Sequence, residues 1–223
     1  MVFNLAIIIG LSGFIFSSNP DVPQFKGGER MLNSFILRNL IYPEYSKQNC
    51  LQGTINVSFQ LSKNGRIVNS RVEKGFGTDL DAEALRIVRL TSGRWIVPAS
   101  FDTTQYIVIP INFSLKEYSC SERSKEEMAD AIAAYKAKQD LTKAIINFYE
   151  KKDSGSYSPS DEAKVLELKQ QLGYDDRFFD RLLRQAQQKL KQGDKEGACE
   201  DFNLIKKLGS SKAKSFLANN CDK

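Results

Sequence analysis

The spacing of hydrophobic residues changes twice along the first half of the chain. From Gly28 onward apolar residues recur at helical spacing, at Leu32, Phe35, Ile36 and Leu40. Tyr42-Pro43 closes this segment, because the residue before a proline is pushed out of the helical region. After Gly53 the period becomes two: apolar positions alternate with polar ones, at Ile55, Val57, Phe59 and Leu61. This alternation predicts a strand with one buried face.

A hairpin and a second helix follow this strand. Asn64-Gly65 separates it from a returning strand over residues 67–72, and Asn-Gly between two such runs is typical of a tight hairpin. Thr78 is the expected N-cap of the next helix, with Asp81 three residues on as its capping partner. One face of that helix is apolar, at Leu80, Ala84, Leu85 and Val88.

The last alternating run predicts the longest strand of the domain. Its apolar positions are Ile107, Ile109, Ile111, Phe113 and Leu115. Pro110 interrupts the run, and because proline cannot donate to a ladder we expect this strand at the edge of a sheet. The order helix, hairpin, helix, strand predicts an α+β domain with a three-stranded antiparallel sheet and two helices on one face.

These elements carry a set of landmarks in a fixed order. They are Pro23-Gln24-Phe25-Lys26-Gly27-Gly28-Glu29, Tyr42-Pro43, Gln52-Gly53, Asn64-Gly65-Arg66, Trp95 and Ile109-Pro110-Ile111-Asn112-Phe113. The segment from about 23 to 115 thereby resembles the C-terminal domain of TonB, the periplasmic protein of Gram-negative bacteria that engages outer-membrane transporters. The resemblance implies a domain that binds a short extended segment of a partner by strand addition along its last strand.

The same resemblance assigns candidate partner-binding residues. Those on the last strand and just before it are Gln105, Tyr106, Ile107, Val108, Ile109, Ile111, Asn112 and Phe113. Gln52 is a further candidate, although a requirement of the turn at Gly53 is the better explanation of it. Trp95 is expected to be a packing anchor. Whether the missing N–H of Pro110 faces the partner or the sheet stays open from the sequence.

The second half of the chain is helical in pattern. Residues 121–152 are rich in Ala, Lys, Glu and Gln, Pro159 opens another helix, and Gly173 ends it. A further apolar stripe follows in 175–192, and the tail from Lys191 to Ala213 resembles one tetratricopeptide or Sel1-like helical hairpin. A small helical bundle without a groove is the alternative.

The N-terminal residues 1–18 form an apolar run shorter than a membrane-spanning helix needs. Small residues and Pro20 follow it, as after the core of a signal peptide, although no Lys or Arg precedes it. Export with cleavage and retention as a short inner-membrane anchor both remain open. We therefore expect a leader or anchor at 1–18, a TonB-like domain at 19–117 and a helical domain at 121–223.

Four cysteines allow three disulfide pairings. Cys199 and Cys221 lie on neighbouring predicted helices and form the favoured bridge, which leaves Cys50 with Cys120. Four buried free thiols are the alternative in a reducing compartment.

Composition argues against catalysis. Histidine is absent, which removes the commonest general base and the commonest metal ligand, and no metal cluster or cofactor motif is recognisable. The net charge of +5 is spread among acidic residues, so a solvated surface is favoured over a nucleic-acid site. We expect no enzyme activity, no metal and no cofactor.

Two functions compete on this reading. The first is a periplasmic TonB-like protein that binds an outer-membrane transporter or another cell-envelope protein, in transport across the envelope. The second is a periplasmic scaffold or adaptor whose helical domain carries the interaction, without energy coupling. The sequence favours this second possibility in one respect, because no clear spanning helix or Pro-rich segment precedes the sheet domain. An exposed edge strand also leaves pairing into a homodimer open.

Overall fold

The computed structural model describes residues 21–115, 120 and 124–221. The chain divides into two compact units with the boundary after Ile132. The expected leader or anchor at 1–18 lies outside the described residues. The boundaries 19–117 and 121–223 stay predictions.

The first unit is an α+β domain. Its elements, in chain order, are β1 (Gln24–Phe25), α1 (Gly28–Asn39), α2 (Glu44–Gln48), β2 (Gly53–Leu61), β3 (Ile67–Lys74), α3 (Asp79–Leu90), β4 (Trp95–Ile96) and β5 (Ile107–Phe113). An antiparallel sheet has the order β3-β2-β5, and β1 pairs with β4 in a separate two-stranded ribbon. The predicted α+β fold with a three-stranded sheet is confirmed, whereas the ribbon and the short α2 were not expected.

The core of this unit collects the residues that the alternation placed on one face. Its buried members from the strands and helices include Ile55, Val57, Phe59, Leu61, Ile107, Ile109, Ile111, Phe113, Leu32, Ile36, Leu80, Ala84, Ile87 and Val88. Trp95 is 6% exposed and its indole N–H donates to the Thr91 hydroxyl at 2.9 Å. The longest strand is β2 with nine residues, whereas β5 has seven and ends at Phe113, before Leu115, so the expectation that the last strand is the longest was wrong.

The start of α3 differs from the predicted capping arrangement. Thr78 occupies the N-cap position, but its side chain makes no capping hydrogen bond. The Asp81 carboxylate instead accepts from the backbone N–H groups of Phe76 at 3.0 Å and Gly77 at 2.8 Å. The first turn of α3 therefore anchors the loop that leaves β3, a role that only the folded loop reveals.

The β2–β3 turn requires glycine for two reasons. Gly65 has a φ of +74°, and a Cβ placed there would lie 2.2 Å from the carbonyl oxygen of Trp95. Its own carbonyl accepts from the Gly93 N–H at 2.8 Å. Asn64 has no positive φ, so Gly65 is the left-handed residue of this Asn-Gly turn.

A buried ion pair within α3 also holds the end of α1. Arg86 donates to both carboxylate oxygens of Glu83 at 2.7 Å, and to the Asn39 carbonyl at the end of α1, also at 2.7 Å. Glu83 in turn accepts from the Ile41 N–H at 2.7 Å. Both charges thus have several partners, which is the condition under which a buried pair is tolerated.

The second unit is helical. The long α4 (Lys125–Asp153) contains the boundary between the units, and the elements after it are α5 (Pro159–Gln171), α6 (Asp176–Lys191), α7 (Lys195–Lys207), a 3₁₀ turn (Ser211–Ala213) and α8 (Lys214–Asn220). Its core includes Ile145, Tyr174, Phe179, Ala186, Ala198, Phe202, Ile205, Leu208 and Leu217. Pro159 occupies the first turn of α5, as expected. The tetratricopeptide or Sel1-like resemblance of the tail stays a prediction.

The favoured cysteine pair and the remaining pair both lie at disulfide distance. The Sγ atoms of Cys199 and Cys221 are 2.01 Å apart, and those of Cys50 and Cys120 are 2.06 Å apart. The first bridge joins α7 to the end of α8. The second joins the residue before Leu51 to the chain beyond β5, so each unit carries one cross-link.

Candidate functional site

The sheet of the first unit has two edges of different character. The β3 edge pairs irregularly with β2, since extra β3 residues interrupt the register twice, and Asn69 there has a φ of +49°. Charged residues Arg71, Glu73 and Lys74 lie on the same strand. Bulges and charges on an edge oppose the addition of another strand. The β3 edge is therefore protected.

The β5 edge has neither bulges nor charged residues. Its seven residues pair with β2 in one unbroken register from Gly53 opposite Phe113 to Phe59 opposite Ile107. No residue of Ile107–Phe113 is charged. Within the part of the chain that the structure describes, no strand pairs with the outer side of β5. A row of backbone groups is thus left available to a strand from elsewhere.

The backbone direction in β2 follows from the hairpin. The Ser62 N–H donates to the Arg66 carbonyl at 2.9 Å, so the backbone of Ser62 points toward β3. Because successive residues of a strand point their backbone groups to opposite sides, Asn56 and Ser58 also point toward β3. Ile55 and Val57 then point toward β5. The interruptions in register add residues to β3 and leave the β2 alternation intact.

The same alternation fixes the direction of each β5 residue. Ile109 lies opposite Val57, in a pair that exchanges hydrogen bonds, whereas Pro110 lies opposite Asn56, in a pair that does not. Leu115, which has the same parity as Ile109, donates its N–H toward β2, to the Gln52 Oε1 at 3.2 Å. The missing N–H of Pro110 therefore faces the outer edge. The internal ladder loses nothing.

The predicted site residues fall into two sets. Four of them have buried side chains and direct their backbone groups toward β2: Ile107, Ile109, Ile111 and Phe113. Tyr106, Val108 and Asn112 have the opposite parity, and their backbone groups face the outer edge. Gln105 is exposed in the turn before β5. The side-chain oxygen of Gln52 accepts a hydrogen bond from the Leu115 N–H.

Sequence reasoning left Pro110 out of the candidate list. Its carbonyl oxygen faces outward with those of Val108 and Asn112, so it belongs to the edge as an acceptor without a donor. The sequence does place Pro110 in the second set of alternating positions, together with Val108 and Asn112, whose side chains are not in the core. The alternation alone does not say which way the backbone of Pro110 points. That direction depends on the register of β5 on β2, which the sequence does not contain.

A cation–π contact crosses the sheet on the face opposite the core. The guanidinium carbon of Arg71 lies 4.1 Å from the centre of the Tyr106 ring. Arg71 pairs with Ser58 of β2, and Ser58 pairs with Val108 of β5, so the contact passes over the small central residue. Ser58 is 1% exposed, and its hydroxyl has no hydrogen-bond partner among the described residues. The stack fixes Tyr106 at the start of the edge.

Tyr42 packs against the C-terminal end of β5. The Tyr42 ring packs edge-on against Phe113 at 5.6 Å, and its hydroxyl donates to the Leu51 carbonyl at 2.5 Å. Burial, with a contribution from the negative charge of Asp79, raises the pKa of Tyr42 to about 12. Tyr42 thus remains a neutral donor at physiological pH, next to the disulfide at Cys50.

The site contains no recognisable centre for metal or cofactor chemistry. Among the described residues no cluster of Cys, Asp and Glu is placed to hold a metal ion. In that same part of the chain no helix is both long and apolar enough to cross a membrane. The groups that the edge offers are backbone donors and acceptors, which suit an extended polypeptide.

The second unit has a cleft of about 460 Å³, lined in part by Lys169, Tyr174, Phe179 and Lys212. Lys212 is paired with Asp176 at 3.1 Å and with Asp180 at 2.7 Å. Lys169 donates to the Tyr149 hydroxyl at 3.2 Å and stacks on its ring. The charges of this cleft are engaged within the unit itself, so the cleft is the weaker candidate.

A small α+β domain with one protected and one open strand edge defines a class of protein-interaction domains that accept extended segments. Comparison with known families agrees. Residues 38–115 match the family described as Gram-negative bacterial TonB protein C-terminal, which confirms the resemblance for that part of the first unit. No curated protein and no solved structure matches the chain.

The matched family is one of periplasmic, non-enzymatic interaction domains that bind cell-envelope proteins. The match begins at Arg38 and ends at Leu115, so it contains β2, β3, α3 and β5. Pro23–Leu37 and the helical unit lie outside it. The first unit is thus TonB-like at the level of the domain.

Proposed function

We propose that this chain is a periplasmic TonB-like protein whose first unit binds a short extended segment of an outer-membrane transporter, or of a similar envelope protein, in transport across the cell envelope. The segment adds as a fourth strand along β5. The observation that carries this proposal is the regular, uncharged outer edge of β5 in a domain of this family. The chain on this proposal is a binding protein without catalytic activity.

The contacts of the added strand follow from the alternation in β5. Tyr106, Val108 and Asn112 supply outward N–H and C=O groups, and Pro110 supplies a carbonyl alone. Main-chain hydrogen bonds of this kind give affinity without demanding a particular partner sequence. Side chains of Tyr106 and Val108, on the face away from the core, are the nearest groups that could select among partners.

The alternative is a scaffold in which the helical unit binds the partner and the sheet domain only supports it. The cleft at Lys169 and Lys212 favours this function. Site-specific photocrosslinking in the full chain separates the two. A photoreactive phenylalanine analogue is placed at Val108 or Asn112, with matched placements at Val68 on the β3 edge and at the exposed Leu166 beside the cleft.

The proposal expects crosslinks to one envelope protein from positions 108 and 112 in a Gram-negative host, with the crosslinked peptide mapping to a single extended segment. Position 68 should give none. Crosslinks from position 166 alone would establish the scaffold function and reject strand addition. Crosslinks of equal yield from positions 68 and 108 would mean that no particular edge is used.

A further inference from the structure

The hydrogen-bond donor that Pro110 lacks is missing from the outer edge of β5. Its absence therefore affects a strand that adds to this edge and costs no hydrogen bond within the sheet. The Asn56–Pro110 pair is one that exchanges no hydrogen bond within the sheet. Cδ of the proline ring occupies the direction in which an N–H would otherwise point, so a carbonyl from outside cannot come close there. The defect is central, with Val108 on one side and Asn112 on the other.

The cost of this defect depends on what pairs with the edge. A partner segment without proline meets a single missing donor, and one of its carbonyls stays solvated. A second copy of this chain brings a second Pro110. In a two-fold symmetric antiparallel pair of β5 strands, every contact occurs twice, so two hydrogen bonds are missing.

No symmetric register that includes Pro110 in the paired stretch avoids the loss of two hydrogen bonds. If Pro110 of one copy faces Pro110 of the other, the central pair has no hydrogen bond at all. If Pro110 faces Val108 or Asn112, the same defect recurs at the symmetry-related position. Only registers that leave Pro110 outside the paired stretch escape it, and they use barely half of the strand.

We infer that Pro110 is a specificity-determining residue that prevents the open edge of β5 from pairing with a second copy of this chain while still admitting one foreign strand. This inference rests on the proposed strand addition at β5. The other edge needs no such device, because bulges and the charges of Arg71 and Glu73 already protect β3.

The test compares self-association of the oxidised full-length chain with that of Pro110→Val, measured by sedimentation velocity over a concentration series. Each restored hydrogen bond favours pairing about fivefold, so two restored bonds should lower the dimer dissociation constant about 25-fold. Hydrogen exchange should then show slowed amides at Tyr106, Val108 and Asn112 in the Pro110→Val dimer.

Two controls separate the donor from the added apolar surface. Asn112→Val adds a similar side chain on the same face but leaves the number of backbone donors unchanged, and it should stay as monomeric as the natural chain. Val108→Pro combined with Pro110→Val returns one missing donor to the edge, and it should reverse the dimerisation. Pro110→Ala repeats the main test with a smaller side chain.

The inference is overturned if Pro110→Val and Pro110→Ala fold and associate no more than the natural chain, or if the natural chain already dimerises through β5. This readout needs no partner, so it is independent of the crosslinking result. Dimerisation of Pro110→Val without any crosslink at position 108 would reject the proposed function, and with it the admission of a foreign strand, and would leave standing only the effect of Pro110 on self-pairing. Crosslinks at position 108 with an unchanged Pro110→Val would reject only the role of Pro110.

Discussion

The guanidinium of Arg71 on β3 stacks on the ring of Tyr106, which precedes β5, with 4.1 Å between the guanidinium carbon and the ring centre. The two residues flank the central strand, and Ser58 beneath them is small enough to let the contact pass. A cation–π contact at a partly exposed site stabilises by about 0.5–1 kcal/mol. The contact also orders the beginning of the proposed docking edge.

Replacing Ser58 by alanine should stabilise the first unit. The Ser58 hydroxyl is buried and has no partner among the described residues, and removing such a group relieves its desolvation cost. We expect the free energy of unfolding to rise by about 1 kcal/mol in urea denaturation. Ser62→Ala is the control, because the Ser62 hydroxyl accepts from the Arg66 N–H at 3.2 Å, and its loss should be destabilising.

Proline substitutions at neighbouring positions of β5 should have opposite consequences. Val108→Pro removes an outward N–H, so the fold should lose about 1 kcal/mol or less. Binding of the partner, measured as crosslinking from position 112, should weaken about fivefold. Ile109→Pro removes a donor of the β2–β5 ladder and a buried side chain, and should cost about 3 kcal/mol or more. Equal destabilisation by both variants, measured by urea denaturation, would mean that Val108 also donates to the β2–β5 ladder.

Alanine at Gly65 should destabilise the first unit more than alanine at Gly28. Both glycines have positive φ, +74° and +76°, and so both substitutions force a side chain into the left-handed region. This conformational cost is about 1 kcal/mol. A Cβ at Gly65 would also lie 2.2 Å from the Trp95 oxygen, whereas nothing lies within 4 Å at Gly28.

The expected totals are therefore about 3 kcal/mol for Gly65→Ala and about 1 kcal/mol for Gly28→Ala. Thermal unfolding of the two variants under identical conditions provides the comparison. If Gly65→Ala costs no more than Gly28→Ala, then the turn does not approach Trp95 as closely as described.

The Tyr42 hydroxyl should ionise at a higher pH than that of an ordinary tyrosine. Burial and the nearby charge of Asp79 raise its pKa to about 12. A folded-state pKa above the unfolded value of about 10 means that the folded protein holds the proton more tightly. The associated stability is present below pH 10 and is lost as the pH rises toward 12.

Absorbance at 295 nm, followed rapidly to limit disulfide loss, provides the measurement. The difference between the natural chain and Tyr42→Phe should be a single tyrosinate step centred near pH 12. A step near pH 10 would mean that the Tyr42 hydroxyl is solvated and does not donate to Leu51.

The sequence alone is enough to predict α1, α3, β2, β3 and β5 of the first unit and the buried faces of β2 and β5. Alternation from Ile55 to Leu61 and from Ile107 to Phe113 is a local property of the chain, and burial on one face follows from it directly. The helices at Leu32–Leu40 and Leu80–Val88 were predicted for the same reason. Cys199 and Cys221 could be paired because their helices are consecutive.

How these elements face one another depends on contacts between distant parts of the chain. The sequence predicted Thr78 and Asp81 as a cap, but the Asp81 carboxylate accepts from two backbone N–H groups of the loop after β3, and the Thr78 side chain makes no capping hydrogen bond. The ribbon of β1 with β4 joins residues about seventy positions apart and has no local signal. Likewise, Pro110 marked an edge strand, but the side that it affects depends on the partner strand. Hydrogen-bond direction in a sheet is a property of register between two strands, and register forms only when the core closes.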